Sequence, residues 1–261
     1  WTQTHTFTTL RAPCEVIPRS VVAAKVFLEG PYKTANGLMA DSLRKLNLLP
    51  LTEPYTAAGH NVTGPTMFSP GLLAINGANA IVDWVLVELR QNSSPYTVLE
   101  ARTGLLQRDG DIVATDGSSP MGFCPDAGTY RVAVRHRNHL GVMSGIGIAL
   151  SSSATPVNFT VSGFATFGTD ARKTIGSVQV LWAGNVWLDN ALRYTGEQND
   201  RDPILTMVGG SVPTAMASGY HAADVNLDGT VKYTGEGNDR DPILTNIGGS
   251  VPTNSRAEQL P

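Results

Sequence analysis

The feature that most constrains the fold of this chain is a sequence repeat that occurs twice near its C-terminus. Residues 194–214 return as residues 233–253, an offset of 39 residues, and 18 of these 21 positions are identical. Each copy contains the segment Arg-Asp-Pro-Ile-Leu-Thr, which predicts a short helix that tolerates proline in its first turn and ends at a pair of glycines. A helix of this length is not stable alone. The two copies are therefore expected to meet, with Val231 pairing with its counterpart Leu192.

The residues before the second helix have the spacing of an EF-hand-type calcium loop. Asp224, Asn226 and Asp228 place oxygen atoms at positions 1, 3 and 5, and Gly229 and Thr230 follow at positions 6 and 7. Alternation puts the oxygen side chains on the inner side of one tight turn, where Gly229 permits the backbone to reverse at positive φ. The pattern predicts a calcium site, and a solvated Asp/Asn/Gly turn is the alternative.

The twelfth position of this loop departs from the standard pattern. Gly235 occupies it and has no carboxylate, so the last ligand has to come from a later residue. The nearest acids are Glu236, Asp239 and Asp241. Asp239 is the favoured ligand because it lies in the first turn of the predicted helix, where a carboxylate also complements the helix dipole.

The first copy carries a weaker version of the same loop. Asn185 and Asp189 stand at positions 1 and 5, Asp200 is the counterpart of Asp239, and Trp187 at position 3 cannot coordinate a cation. With fewer oxygens and less negative charge, this loop is expected either to bind calcium more weakly or to serve mainly as a packing partner. One Ca²⁺ ion is thus predicted, and a second is left open.

A calcium half-loop followed by one short helix, present twice, resembles the dockerin type I repeat. The amino-acid sequence is also similar to a more specific group, the C-terminal regions of large haemagglutinin-like or adhesin-like surface proteins of Bacteroidota. The type IX secretion system exports these proteins. That likeness covers about residues 22–261. It rests on Leu181-Trp-Ala-Gly-Asn185, Asp224-Val-Asn-Leu-Asp-Gly, the repeated Tyr-Thr-Gly-x-x-Asn-Asp-Arg-Asp-Pro-Ile-Leu, Glu258-Gln-Leu-Pro261, and upstream segments at 26–32, 81–90, 105–112 and 134–142.

The resemblance implies a secreted or cell-surface location. It also implies a tail that the type IX secretion machinery or an outer-membrane surface protein recognises. A dockerin would instead imply a cohesin-like partner, although Trp187 and the inserted residues before Asp239 depart from the dockerin pattern. Two further hypotheses stay open: glycans as ligands, and a role as an accessory domain of a larger secreted enzyme.

Upstream of the repeats, short strands and turns alternate at even spacing, which predicts an antiparallel β-sandwich. A long strand is expected over residues 80–90, a hairpin around Asp109-Gly110, and one continuous strand over residues 129–142. No apolar run is long enough to span a membrane.

The predicted domain organisation follows from these segments. Residues 1–21 are the tail of a preceding module or an extra strand, residues 22–168 form the β-sandwich, residues 169–180 are a linker, and residues 181–261 form the dockerin-like domain, with units 181–219 and 220–258.

Motifs for catalysis do not stand out. The sequence has no Gly-x-Ser-x-Gly elbow, His-Glu-x-x-His helix or phosphate-binding glycine loop. His136 and His139, taken as neighbours on one strand, would face opposite sides, which makes them a poor metal pair and favours an exposed or sheet-packed role. Trp84 is expected in a strand core, and Trp187 is expected to be exposed, where it could stack on a sugar ring.

The two cysteines, Cys14 and Cys124, can form a disulfide in an oxidising compartment or remain free thiols, and the sequence leaves both states open. From residue 181 onward the chain has 10 acidic and 5 basic residues, so negative charge concentrates where calcium is predicted. No basic stripe marks a nucleic-acid face. The function predicted from these features is a non-enzymatic, calcium-stabilised C-terminal part of a secreted adhesin-like protein.

Overall fold

The computed structural model describes residues 17–261, and within this range the fold is mainly β. None of the helices in these residues has the length and apolar character of a membrane span. The predicted role of residues 1–21 falls almost entirely outside the described residues.

A six-stranded antiparallel sheet forms the centre of the molecule. Its strands are β4 (Ile81–Gln91), β5 (Val98–Gln107), β6 (Ile112–Val113), β8 (Gly128–His136), β9 (His139–Met143) and β10 (Ile148–Leu150). They lie in the order β10-β8-β4-β5-β6, with β9 added to β8. The central strand β4 is buried on both faces from residue 81 to residue 90, so its apolar residues do not alternate with exposed ones. Trp84 is fully buried there, as predicted, and packs on Phe68.

A smaller sheet shares the same core. It contains β1 (Ser20–Lys25), β7 (Met121–Phe123) and β11 (Ala154–Asn158) in the order β11-β1-β7. Strand β1 is antiparallel to β7 but parallel to β11, so this sheet is mixed, and the predicted purely antiparallel arrangement holds for the central sheet only. Alternate residues of β1 point inward, where Val22 and Ala24 join the core residues of the central sheet.

Short elements cover the ends of the two sheets. They are the hairpin β2 (Tyr32–Lys33) and β3 (Leu38–Met39), the helix α1 (Ser42–Lys45), and 3-10 turns at Pro70–Ala74 and Gly77–Asn79. The stretch predicted to be a linker contains another hairpin, β12 (Lys173–Ile175) and β13 (Val178–Val180). Ala171 and Val180 from this stretch are buried in the main core, so the chain passes into the repeats as packed structure.

The two repeats exchange their last strands. The first copy comprises β14 (Ala191–Arg193), α2 (Arg201–Met207) and β15 (Met216–Ser218), and the second comprises β16 (Thr230–Lys232), α3 (Arg240–Asn246) and β17 (Ser255–Ala257). Strand β15 pairs with β16, and β17 returns to pair with β14, so each copy completes the other. The exchange is reciprocal in the side chains too: the Thr195 hydroxyl donates to the carbonyl of Pro252, and the Thr234 hydroxyl donates to the carbonyl of Pro213, both at 2.9 Å.

The predicted pairing of Val231 with Leu192 is wrong. Val231 lies opposite Ala217, and Leu192 lies opposite Arg256. The physical reason is the strand exchange itself, because the hydrogen-bonding edge of each loop strand is already occupied by the last strand of the other copy.

Both repeats contact the β-sheets, but the second loop is buried more deeply in the main core than the first. Leu188 and Leu227 are equivalent residues, both in left-handed conformation, at φ 56° and 57°. Leu227 is 1% exposed and belongs to the main core, whereas Leu188 is 49% exposed. Gly30, at φ 92°, allows close approach of the second loop, because a Cβ there would lie 2.9 Å from the Cα of Asn226.

This asymmetry predicts unequal effects of the same substitution at the two leucines. Leu227→Ala is expected to lower the free energy of unfolding by about 2–4 kcal/mol, since a fully buried leucine leaves a cavity. Leu188→Ala, at the equivalent exposed position, should change it by less than about 1 kcal/mol. Urea denaturation followed by tryptophan fluorescence measures both. Equal losses in the two variants would contradict the docking of the second repeat.

Candidate functional site

The side chains of the second predicted calcium loop gather around one turn. The carboxylate of Asp224 accepts hydrogen bonds from the backbone N–H of Asp228 and of Gly229, at 3.1 and 2.9 Å. The side-chain oxygen of Asn226 accepts from the N–H of Asp228 at 2.8 Å, and Asp228 accepts from the N–H of Thr230 at 2.9 Å. Gly229 has φ 90°, which lets the backbone reverse at this point. These bonds hold the oxygens of Asp224, Asn226 and Asp228 on one turn.

Asp239 closes the same loop from the start of α3. Its Oδ1 accepts from the N–H groups of Val225 and Asn226, at 2.7 and 3.2 Å, and its Oδ2 accepts from the N–H of Lys232 at 2.7 Å. The side chain is fully buried. Asp239 therefore ties the beginning of the loop to strand β16 across the inserted residues, with both of its oxygens engaged by the backbone.

The first copy repeats this arrangement atom for atom at Asp200. Its Oδ1 accepts from the N–H groups of Val186 and Trp187, at 2.8 and 3.0 Å, and its Oδ2 accepts from the N–H of Arg193 at 2.8 Å. Asp200 is also fully buried. The shared geometry explains why this aspartate is retained in both copies even though the loops in front of it differ.

Burial makes these carboxylates costly to ionise. Desolvation raises the pKa of Asp200 and that of Asp224 to about 6. It raises the pKa of Asp239 to about 7, and the nearby negative charge of Asp224 contributes to that rise. A cation bound beside them would reverse the effect, because it would stabilise the ionised form.

The donor set fits calcium in part. Calcium prefers carboxylate, amide and carbonyl oxygens, and Asp224, Asn226 and Asp228 offer such oxygens on one turn. Asp239 lies beside them but gives both oxygens to backbone N–H groups. In residues 17–261, no group of three or more His, Cys, Asp and Glu side chains is arranged to hold a metal ion. The second loop thus supplies a partial oxygen shell.

The first loop differs at the positions that the sequence indicated. Trp187 is 51% exposed, and its indole side chain has no oxygen atom that could coordinate a cation. Asn185 donates from Nδ2 to the carbonyl of Asp189 at 2.7 Å, while its buried Oδ1 has no hydrogen-bond partner. Asp189 forms an ion pair with Arg193.

The interpretation of His136 and His139 as neighbours on one strand is wrong. They lie in β8 and β9, opposite each other across a tight turn at Arg137 and Asn138, so their rings share one side and lie 4.8 Å apart. Their Nδ1 atoms are 3.0 Å apart. Both rings are buried, so of the exposed and sheet-packed roles that the sequence left open, the packed one is found. The signal that was missed is the Arg-Asn pair, which makes a hairpin turn inside an apparently continuous strand.

Asn138 at the tip of this hairpin joins both loops to the central sheet. Its backbone oxygen accepts from the N–H groups of Gly184 and Asn185, at 2.9 and 3.0 Å, where the first loop begins. Its side-chain amide donates to the carbonyls of Ala222 and Asp224, at 3.0 and 2.7 Å, where the second loop begins. Asn138 has no exposed surface, so all four contacts are shielded from water.

Asp83, on the central strand β4, holds the same hairpin in place through hydrogen bonds. It accepts from His136 Nε2 at 3.1 Å, Arg137 Nε at 2.9 Å and the Tyr220 hydroxyl at 2.6 Å. Although burial alone would raise it, the Arg137 guanidinium and these hydrogen bonds hold the pKa of Asp83 well below its usual range. Arg137 also donates to the carbonyl of His221. Sequence analysis assigned no role to Asp83, Arg137, Asn138 or Tyr220.

The sequence left open whether the cysteines form a disulfide or remain free thiols. In the structure Cys124 is disulfide-bonded. The other cysteine of the chain, Cys14, lies outside the described residues.

Comparison of the chain with known protein families, curated proteins and solved structures finds no match.

The position of Asn138 predicts a large effect of its removal. Asn138→Ala would leave the carbonyls of Ala222 and Asp224 buried without a donor, so the free energy of unfolding should fall by about 2–4 kcal/mol. Asn190→Ala, at an exposed position of the first loop, is the control and should cost less than about 0.5 kcal/mol. Chemical denaturation distinguishes the two, and similar costs would argue against Asn138 as the junction.

Proposed function

We propose that this chain is a non-catalytic, calcium-stabilised C-terminal part of a secreted cell-surface adhesin-like protein. The observation that carries the proposal is the buried pair Asp224 and Asp239, two neighbouring carboxyls whose pKa values are raised by burial. Ionised together, they repel each other in a low-dielectric setting. A calcium ion held by Asp224, Asn226 and Asp228 would relieve that repulsion.

In this proposal calcium contributes to folding, not to chemistry. The two sheets around the main core form a β-sandwich, and the exchanged repeats form a small dockerin-like domain that the ion holds in shape. Because α2 and α3 have 7 residues each, neither is stable alone, and the binding free energy of the ion becomes folding free energy. The first loop, which lacks a ligand at Trp187, serves mainly as the packing partner of the second.

The ordered tail then acts as a recognition surface. The resemblance to exported surface proteins of Bacteroidota supports the type IX secretion machinery or an outer-membrane surface protein as the partner. The packing of residues 258–261 agrees with an ordered tail: Glu258 pairs with Arg135 and accepts from the N–H of Gly141, while Leu260 is buried beside Met143.

Calcium should change the pH dependence of stability. The pKa of Asp239 is higher in the folded chain than in the unfolded one, so the folded state binds more protons between about pH 4 and pH 7. Stability in a chelator is therefore expected to fall as pH rises through that window. Calcium binds the deprotonated carboxylates, so it should raise Tm by about 5 °C or more at pH 8 and less at pH 5. Differential scanning fluorimetry measures these shifts.

Asp228→Ala should abolish the gain in Tm from calcium. Asp111→Ala, at a half-exposed carboxylate paired with Lys25 in a distant hairpin, is the matched control and should retain it. A wild-type chain whose Tm is the same with calcium and with chelator at pH 8 would overturn the calcium proposal.

A docking module is the second candidate function. The face of the second repeat made by Asn226, Leu227 and Asn246 lies against the β-sheets. The equivalent face of the first repeat is more apolar, with Trp187, Leu188 and Met207, and these residues are exposed by 51%, 49% and 40%. Exposed apolar patches of this kind mark protein interfaces, which favours a cohesin-like or other protein partner on this face.

One display experiment separates the two candidates. Removing residues 181–261 from the full-length protein should abolish surface display, as measured by antibody labelling of intact cells. If the tail acts as an ordered whole, Trp187→Ser should leave display unchanged. If the face of the first repeat is the docking surface, Trp187→Ser alone should reproduce the loss. Unchanged display after the deletion would contradict both.

A further inference from the structure

A cavity lies where the end of the central sheet meets the first loop. Its volume is about 240 Å³. Tyr55, His60 and Tyr220 contribute ring surfaces to it, Leu188 contributes an aliphatic wall, and Arg137 and Asn185 contribute polar groups. It is separate from the turn that carries Asp224, Asn226 and Asp228.

Two buried polar atoms on the lining residues have no hydrogen-bond partner. Arg137 uses Nε toward Asp83 and Nη1 toward the carbonyl of His221, but its Nη2 is unpaired. Asn185 uses Nδ2 toward Asp189, but its Oδ1 is unpaired. Leaving a buried donor or acceptor unpaired costs about 1–3 kcal/mol. The two side chains that carry these unpaired atoms both line the cavity.

The charges around the cavity are already neutralised. Arg135 pairs with Glu88 and Glu258, Arg137 pairs with Asp83, and Asp189 pairs with Arg193. Burial and the nearby charge of Arg135 lower the pKa of His60, so its ring is neutral at neutral pH. No charge is left for an ionic ligand to match, so the cavity suits a neutral guest.

The walls favour a guest with an apolar face. The rings of Tyr55 and His60 meet edge to face, 5.9 Å apart, and the Tyr220 ring packs under the Arg137 guanidinium at 4.1 Å. Leu188 lies at this cavity with half of its surface exposed, whereas the equivalent Leu227 is covered by the main core. The first loop thus presents an apolar side chain that the structure leaves uncovered.

We infer that this cavity binds a neutral, hydroxylated six-membered ring, the chemistry of a pyranose sugar. The hydroxyl groups of such a ring can both accept and donate hydrogen bonds, which is the chemistry that the unpaired donor on Arg137 and the unpaired acceptor on Asn185 require. The C–H face of the ring would cover Leu188 and the aromatic walls. A volume of 240 Å³ corresponds to roughly eight water molecules at about 30 Å³ each, which accommodates one ring and not two.

This site differs from the sugar-stacking role considered for Trp187, which is not among the residues that line the cavity. The inference is independent of the calcium proposal, because it uses neither Asp228 nor Asp239. Its test is carried out in calcium-containing buffer throughout, so failure of one proposal does not decide the other.

The test uses saturation-transfer NMR and calorimetry with glucose, galactose, mannose and N-acetylglucosamine. At least one of these sugars is expected to bind the whole chain, and the charged analogues glucuronate and glucosamine should bind at least roughly tenfold more weakly, since they would bring an unpaired charge. Ala58→Trp, at an exposed wall position, should fill the cavity and abolish binding.

Leu188→Gly should weaken binding by roughly tenfold, since it removes the apolar wall while glycine accepts the positive φ at this position. Gln198→Gly is the matched control: Gln198 also has positive φ, at 54°, but lies outside the cavity, so its affinity should equal that of the wild type. The inference is overturned if none of the four sugars binds, or if the Ala58→Trp chain binds with unchanged affinity.

Discussion

The tertiary arrangement depends on Asn138, a single buried amide between two repeats and a sheet. Its backbone oxygen receives the start of the first loop, and its side chain donates to the start of the second. Because the residue has no exposed surface, water cannot replace these bonds. Asp83 and Arg137 fix the hairpin that presents Asn138, so the orientation of the repeats is set by buried polar contacts.

The repeats show how one local motif serves two different surroundings. Asp200 and Asp239 make the same three backbone contacts in their copies, and the exchanged strands give the pair an approximate two-fold symmetry. The β-sheets break that symmetry by covering Leu227 of the second copy but not the equivalent Leu188 of the first. One residue that differs between the copies shows the same difference: Asn246 is buried and bonded to Glu29, while its counterpart Met207 is 40% exposed.

Electrostatics and packing oppose each other at the second loop. Burial of Asp224 and Asp239 is required by the backbone contacts that they make, yet it raises the pKa of both carboxyls to about 6 and about 7. Because the folded state holds protons on these carboxyls more tightly than the unfolded state does, their burial costs stability as pH rises through these pKa values. In the first loop Asn185 stands where the second has Asp224, so one of these buried acids is absent there.

Local patterns in the sequence determined the duplication, the short helices after Asp200 and Asp239, the long buried strand around Trp84 and the turn at Gly229. Each of these depends on neighbours within a few residues, which is why spacing alone could predict them. The strand exchange, the hairpin at Asn138, the burial of Leu227 against the exposure of Leu188, and the cavity beside Arg137 were decided by tertiary structure. They bring together groups that are far apart in the chain: Asn246 and Glu29, which share a hydrogen bond, are separated by 217 residues. No local spacing encodes which of two nearly identical copies will pack against a sheet, because that choice depends on the shape of the surface that receives it.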